Sequence, residues 1–310
     1  MDVTPESRQL LTRRRLLIGA GAAAAGTVAG AAGLYELVDN SVLPGKGLLN
    51  QIEGACDAAP GPPETYATPG PTFRGTFHSH KRNTEVGYTL AYPPGHKPGS
   101  RIPLVFHLHA HYGNHTTTFA GLPLAKALAS RTHPDRPLAP FAMVAADGGG
   151  NLYWNRHPGD DPMAMLVDEL LPRMQKLGLG RDRVGASGDS MGGYGAILLA
   201  EKHPHLIKVV TASGPAIFTS YADANHVAPG SYASPAAFAE ANAVTHAPAL
   251  AGIPARIASG NGDPFHPGVQ ALAKNLPPSV QLIFAKGCHD GRFFASQRQA
   301  QLAFLATHLS

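Results

Sequence analysis

Short apolar runs alternate with longer amphipathic segments from about residue 72 to the C-terminus. Apolar runs of about four to eight residues bounded by Gly and Pro are typical of buried strands, whereas apolar residues three and four positions apart are typical of helices. The predicted strands are 75–78, 86–92, 102–109, 141–146, 183–187, 207–212, 256–259 and 280–284. The predicted helices are 123–130, 162–177, 191–203, 267–275 and 293–308. This order predicts an α/β fold with a mostly parallel sheet and helices on both faces.

The composition before residue 72 differs from that of the rest of the chain. Residues 34–71 are rich in Gly and Pro and lack sustained periodicity, so we predict a linker or an extended arm lying on the domain. The catalytic domain is then 72–310, a length that one α/β domain commonly reaches.

The N-terminal segment 1–33 is typical of an export signal. Residues 12–17 read TRRRLL, a twin-arginine motif, and an Ala/Gly-rich apolar run follows to about residue 33. We therefore predict the twin-arginine export machinery as a partner and the cell envelope or the extracellular space as the destination. The alternative is an N-terminal membrane anchor, although the run is about as short as a membrane span can be.

Charge excludes one class of partner. The formal net charge is +4, and part of it comes from the arginines before the apolar run. The other basic residues are scattered without a basic run or an aromatic stripe, so we predict no nucleic-acid binding.

The sequence Gly-Asp-Ser-Met-Gly-Gly at residues 188–193 carries the strongest chemical signal. It is a G-x-S-x-G motif between a predicted strand and a predicted helix, as in a nucleophile elbow. The turn is so tight that glycine is needed on both sides of the serine, which displays Ser190 at the carboxyl end of the sheet.

An acid and a base follow the serine in the order Ser, Asp, His. Asp263 lies in a polar turn directly after a predicted strand, and His289 lies after the next one. We predict that His289 takes the proton of Ser190 and that Asp263 orients His289 and stabilises its cation. The alternatives are an Asx turn at Asp263, a surface loop histidine at His289, and Asp290 as the acid.

An oxyanion hole completes this chemistry. We predict that one donor is the backbone N–H of Met191, the residue after the nucleophile. The other is expected from the loop after strand 102–109, where we select the N–H of His111.

A run of histidines offers a different chemistry. His107, His109 and His111 alternate along a strand, with His115 beyond, and such spacing can present metal ligands on one face. Neither Asp nor Cys ligands cluster nearby in the sequence, and a metal hydrolase leaves the serine motif unexplained. We predict neither a metal nor another cofactor.

Two cysteines, Cys56 and Cys288, are present in a chain predicted to enter an oxidising compartment. We predict a disulfide bond between them, with two free thiols as the alternative.

The motifs at 188–196, 260–265 and 287–290, with the segment 168–172, resemble the Putative esterase family of α/β hydrolases. That family includes esterase D (S-formylglutathione hydrolase), feruloyl esterase modules and antigen 85 mycolyltransferases. The resemblance implies the α/β-hydrolase fold and the triad roles of Ser190, Asp263 and His289. This sequence departs from the family at Ala110, often Gly there, and at Asp189, commonly His or Leu.

The substrate pocket is the least defined part of the prediction. Tyr153 and Trp154 follow a strand on the catalytic side and are candidates to line it, with packed core as the alternative for Trp154. Asp189 is a third candidate and, if near His289, favours its cation. We predict an exported serine carboxylesterase that acts on small-molecule or glycolipid esters. The alternatives are an envelope acyltransferase using the same triad, a metal hydrolase and a non-catalytic binding module.

Overall fold

The computed structural model describes residue 50 and residues 54–61, 65–119, 121–133 and 136–310. Residues 58–310 form one compact unit, so this unit includes part of the segment predicted as a linker or arm. The predicted signal, 1–33, lies outside the described residues. No helix within the described part of the chain is long and apolar enough to cross a membrane.

An eight-stranded sheet forms the centre of the unit. Its strands are β2 (Thr72–Ser79), β3 (Thr84–Ala91), β4 (Leu104–Leu108), β7 (Ala142–Ala146), β8 (Val184–Asp189), β9 (Ile207–Ser213), β10 (Ala255–Gly260) and β11 (Val280–Ala285). They lie in the order β11-β10-β9-β8-β4-β7-β3-β2. Neighbouring strands from β11 to β7 in this order are parallel, whereas β3 and β2 form an antiparallel edge. A smaller antiparallel sheet consists of β1 (Thr65–Tyr66), β5 (Ser130–His133) and β6 (Arg136–Pro137).

Helical segments connect the strands. They are α1 (Leu124–Leu128), α2 (Pro162–Ala164), α3 (Leu171–Lys176), α4 (Met191–Lys202), α5 (Tyr221–Val227), α6 (Pro235–Glu240), α7 (Ala243–His246), α8 (His266–Ala273) and α9 (Gly291–Leu309). A π-helical segment, Met165–Leu170, joins α2 to α3, and a 3-10 helix, Ala247–Leu250, follows α7.

Alternating side chains of the central strands point into two separate hydrophobic clusters. Phe106 and Val144 belong to the cluster that contains α4, whereas Val105 and Met143 belong to the cluster that contains α9. Because successive side chains of a strand point to opposite faces, these clusters lie on opposite faces of the sheet. All five residues of β4 are buried, which explains its nearly continuous apolar sequence.

The predicted α/β-hydrolase fold is confirmed. The predicted strands and helices are present with ends shifted by a few residues, and predicted helix 162–177 contains the unpredicted π-helical segment. The prediction lacked α5, α6 and α7, which are short and lie where the sequence shows no periodicity. Each begins at a side-chain cap, provided by Ser220, Ser234 and Asn242, respectively. It also lacked the small sheet.

Candidate active site

Ser190 lies in a strained turn between β8 and α4. Its backbone has φ 57° and ψ −125°, a conformation that L-residues rarely adopt. The flanking glycines make the turn sterically feasible. A Cβ on Gly188 would lie 2.3 Å from the carbonyl carbon of Gly192, and a Cβ on Gly192 would lie 1.9 Å from the carbonyl oxygen of Leu108. The nucleophile elbow predicted from the motif is therefore the geometry observed.

The structure brings Ser190, His289 and Asp263 together, as predicted. Ser190 Oγ lies 2.7 Å from His289 Nε2, and His289 Nδ1 lies 2.8 Å from Asp263 Oδ2. The three residues follow β8, β11 and β10, whose carboxyl ends meet at one edge of the parallel sheet. The arrangement provides a nucleophile, a base and a carboxylate that orients the base.

Asp263 is buried, and its two oxygens have different partners. Oδ2 contacts His289, and Oδ1 accepts a hydrogen bond of 2.8 Å from the N–H of Phe265. Asp290, the alternative acid, caps α9 instead, because its Oδ1 accepts a hydrogen bond from the N–H of Phe293. The geometry therefore favours Asp263 over Asp290 as the partner of His289.

The ring of His289 is held between two aromatic side chains. The Phe265 and Phe294 rings lie 4.9 and 5.2 Å from it, both edge-on. Gly214 lies against Phe294 and the triad at φ +50°, where a Cβ would be 2.8 Å from the Phe294 ring and 3.0 Å from Asp263 Oδ2. The sequence prediction missed Gly214 and Phe294, although a Gly-Pro step directly after β9 marks the first as a backbone constraint.

The two predicted oxyanion donors lie at the start of α4 and in the loop that follows β4. Met191 is the first residue of α4, where N–H groups have no acceptor within the helix. The oxyanion loop, residues 109–113, follows β4 and lies against α4, because a Cβ on Gly192 would be 2.9 Å from the carbonyl oxygen of His109. His111 belongs to this loop, and its assignment as a donor stays a prediction.

Three of the four histidines that suggested a metal site form hydrogen bonds within the fold, and the fourth, His107, packs against the Phe119 ring. His109 Nε2 accepts from the N–H of Gly148, His111 Nε2 lies 2.6 Å from Asn151 Oδ1, and His115 Nδ1 lies 2.8 Å from Thr89 Oγ1. His107 is buried, and desolvation lowers its pKa to about 3. Within the described residues, no group of His, Cys, Asp and Glu side chains has the arrangement of a metal site. The positions of these histidines are explained by contacts within the fold.

The three candidate pocket residues are all buried. Trp154 is fully buried and donates from Nε1 to the carbonyl oxygen of His109, so it supports the oxyanion loop from inside the core. Tyr153 is packed against Tyr194, Tyr232 and Phe218. The packed-core alternative therefore describes Trp154.

Asp189 is buried directly before the nucleophile, and burial raises its pKa to about 7 against the effects of a Gln301 hydrogen bond and of the charges of Arg298 and His289. Tyr112, which the prediction did not select, is 78% exposed in the oxyanion loop.

Neither Cys56 nor Cys288 is a free thiol, and the bridge between them stays a prediction.

The chain matches the model of a known protein family. The family model described as "Putative esterase" matches residues 79–277, more than half of the chain. A search of curated proteins finds no significant match.

Solved structures share the fold. A ferulic acid esterase aligns with TM-score 0.64 and 18% identity, covering 77% of this chain and 98% of that one. S-formylglutathione hydrolase from Agrobacterium tumefaciens aligns with TM-score 0.61 and 20% identity, covering 80% and 99%. MPT51 from Mycobacterium tuberculosis aligns with TM-score 0.57 and 16% identity, covering 80% and 100%. With the family match, the chain belongs to the Putative esterase family of α/β hydrolases and is a serine hydrolase that acts on carboxylic esters.

Proposed function

We propose that this protein is an exported serine carboxylesterase that hydrolyses short or medium acyl esters through an acyl-Ser190 intermediate. One observation carries the proposal: Ser190, His289 and Asp263 form a continuous chain of hydrogen bonds of 2.7 and 2.8 Å. Asp263 accepts the Nδ1 proton of His289, so Nε2 of the neutral ring is free to accept the proton of Ser190.

Acylation begins when Oγ of Ser190 attacks the carbonyl carbon of the ester while Nε2 of His289 takes the hydroxyl proton. The electron pair of the carbonyl bond moves onto its oxygen, which becomes the oxyanion of a tetrahedral intermediate. Collapse of the intermediate breaks the bond to the leaving oxygen. That oxygen takes the proton from His289 and departs as the alcohol, and Ser190 retains the acyl group.

Deacylation repeats these steps with water as the nucleophile. Nε2 of His289 takes a proton from water as its oxygen attacks the acyl carbon. The second tetrahedral intermediate collapses to the carboxylic acid, and Ser190 Oγ regains its proton from His289. No other reactant is needed.

Both intermediates carry a negative oxygen that the protein has to stabilise. The N–H groups of Met191 and His111 are the donors in this proposal, and each contributes roughly 3 to 4 kcal/mol to lowering the barrier. The loop that carries His111 lies against the first turn of α4, which carries Met191.

Export is proposed from the sequence of residues 12–17. Replacement of Arg13 and Arg14 by Lys is expected to retain the protein in the cytoplasm of the producing cell, because this pathway reads the arginine pair. Fractionation of cells that produce each form measures the effect, and unchanged export would contradict the twin-arginine route.

The acceptor of the acyl group distinguishes a hydrolase from a transferase. Water is abundant outside a cell, and a transferase has to exclude water and position an alcohol. The test incubates the purified enzyme with p-nitrophenyl butyrate and a panel of sugars, and mass spectrometry compares free butyrate with acylated sugar. We expect free acid to predominate. Predominantly acylated sugar would overturn the hydrolase proposal in favour of the envelope acyltransferase and leave the triad in place.

A further inference from the structure

Arg82 is a buried arginine in the turn between β2 and β3, and the reaction just described does not use it. The residue is 7% exposed. Its Nε and Nη2 donate to Oδ1 and Oδ2 of Asp160 at 2.8 and 2.9 Å, as a bidentate ion pair. Its Nη1 donates to the carbonyl oxygen of Asp147, 2.6 Å away. Each nitrogen of the guanidinium group has an acceptor, which fixes the group in one orientation.

Asp147, the residue after β7, is held from several sides. Its N–H donates to the carbonyl oxygen of Gly87, and its Oδ2 accepts from the N–H of Gly87, both at 3.0 Å. Its Oδ1 accepts from the N–H of His115 at 2.9 Å. The carbonyl oxygen that Arg82 binds belongs to the same planar peptide group as the N–H of Gly148. Arg82 therefore sets the direction in which this N–H points.

The N–H of Gly148 contacts the oxyanion loop. It donates to Nε2 of His109 at 2.9 Å. Burial lowers the pKa of His109, so the ring is neutral and carries its one proton on Nδ1. Nδ1 donates to the carbonyl oxygen of Ala110 at 2.9 Å, and the N–H of that peptide group belongs to His111, the second proposed oxyanion donor. Two rigid peptide groups and one imidazole ring thus connect Arg82 to the N–H of His111.

Two further hydrogen bonds join the oxyanion loop to the β7 loop, which we define as residues 147–151. The N–H of Tyr112 donates to the carbonyl oxygen of Gly150 at 2.7 Å, and Nε2 of His111 donates to Oδ1 of Asn151 at 2.6 Å. Tyr112 has φ 55°, which is strained for a bulky residue and persists only where surrounding contacts hold it. The β7 loop therefore imposes the conformation of the oxyanion loop.

We propose that Arg82 is a positioning residue of the reaction, which aligns the N–H of His111 with the oxyanion through the peptide group of Asp147 and Gly148 and through the ring of His109. The donors of this chain all point from Arg82 toward His111, and hydrogen bonds aligned in this way strengthen one another. Arg82 acts through the two loops and not by contact with the substrate. The inference rests on the proposed function, because the oxyanion forms only when Ser190 attacks an ester.

Arg82→Lys tests the proposal. Lysine keeps the positive charge and can still pair with Asp160, but one ammonium group does not reproduce the fork of the guanidinium group. We expect kcat for p-nitrophenyl butyrate to fall about tenfold with KM little changed, because the oxyanion donor is displaced and not removed. A kcat equal to that of the wild type would overturn the proposal.

A thionoester substrate distinguishes a displaced oxyanion donor from a general loss of structure. In the thionoester of p-nitrophenyl butyrate, sulfur replaces the carbonyl oxygen, and sulfur accepts hydrogen bonds weakly. Arg82→Lys should therefore reduce kcat/KM about tenfold for the ester and less than about threefold for the thionoester. Equal losses on the two substrates would show that the substitution acts on the fold in general, and they would refute the positioning role.

Arg256→Lys is the matched control. Arg256 is also 7% exposed, and its Nη2 donates to Oε1 of Gln297 at 2.9 Å. It lies at the second position of β10, at the opposite end of the strand from the triad. Its substitution should leave kcat and the ratio of ester to thionoester unchanged, and urea unfolding verifies that both variants are folded. A change of that ratio in Arg256→Lys equal to the change in Arg82→Lys would contradict the assignment.

Amide hydrogen exchange separates this inference from the proposed function. If the wild-type protein fails to hydrolyse esters, the proposed function fails, yet exchange still reports whether Arg82 holds the two loops. Mass spectrometry of peptides that cover residues 109–113 and 147–151 should show faster exchange in Arg82→Lys and no change in Arg256→Lys. Exchange that is unchanged in both loops of Arg82→Lys contradicts the inference, whatever the activity of the enzyme.

Discussion

His109 Nε2 accepts a hydrogen bond of 2.9 Å from the backbone N–H of Gly148. An N–H can only donate, so Nε2 carries no proton and the proton of the neutral ring is on Nδ1. Nδ1 then donates to the carbonyl oxygen of Ala110, 2.9 Å away, which also accepts from the N–H of Gly113. A trans peptide group is planar, so fixing this carbonyl also fixes the opposite direction of the N–H of His111. His109 thereby orients one of the two proposed oxyanion donors.

His109→Phe keeps a ring beside Trp154 and removes both hydrogen bonds. We expect kcat to fall about 10- to 100-fold with KM little changed, because a displaced oxyanion donor weakens stabilisation of the transition state. Steady-state kinetics with p-nitrophenyl butyrate measures the effect. An unchanged kcat would show that the direction of the N–H of His111 does not matter to the reaction.

Gly214→Ala tests the packing against the triad. The new Cβ would lie 3.0 Å from Asp263 Oδ2 and 2.8 Å from the Phe294 ring, at a φ of +50° that alanine adopts with strain. We expect kcat to fall because the pairing of Asp263 with His289 is disturbed. Gly230→Ala is the control, since Gly230 has φ +79° and a Cβ added there would meet no atom within 4 Å. Equal effects of the two substitutions on kcat would contradict this role of Gly214.

His107 makes stability depend on pH. Burial lowers its pKa to about 3, below the value of 6.5 in an unfolded chain. Above pH 6.5 both states are neutral, whereas below it the unfolded state binds the proton first, so stability falls as pH falls toward the folded pKa. His107→Leu should reduce the loss of unfolding free energy between about pH 7 and pH 4.5 by roughly 2 to 3 kcal/mol. Urea unfolding at both pH values measures it, and an equal loss in the two proteins would contradict the assignment.

A disulfide between Cys56 and Cys288 is the fourth prediction. Mass spectrometry of peptides from the non-reduced protein should detect the two cysteines linked. Reduction should lower the free energy of unfolding by about 2 to 5 kcal/mol, because the bridge closes a long loop in the unfolded chain. Two free thiols in the purified exported protein would refute the bridge.

The parts of the site that follow strand ends could be predicted from the sequence. Ser190, Asp263 and His289 each come directly after a recognisable apolar strand, and parallel strands bring such positions to one edge. The spacing of the glycines around Ser190 is visible in the sequence and indicates the tight turn.

Other parts depend on contacts between distant segments and leave no local signal. His109 has the spacing of a metal ligand in the sequence, and only its contact with Gly148 reveals a different role. Trp154 follows a strand on the catalytic side as a pocket residue would, yet it is fully buried beneath the oxyanion loop. Gln301 donates a hydrogen bond to Ser213, a buried residue 88 positions earlier in the chain. The roles of these residues depend on tertiary packing, which the hydrophobic periodicity of the sequence does not reveal.

Covalent capture of the acyl group on Ser190 is the decisive test of the catalytic assignment. The purified protein is mixed with excess p-nitrophenyl butyrate, quenched in acid within the first turnovers, and measured by intact mass spectrometry and peptide mapping. We predict a butyryl group on Ser190 in the wild-type protein, and neither this adduct nor ester hydrolysis in a folded Ser190→Ala variant. Undiminished hydrolysis by Ser190→Ala, or a butyryl group on another residue that turns over at the catalytic rate, would contradict the assignment.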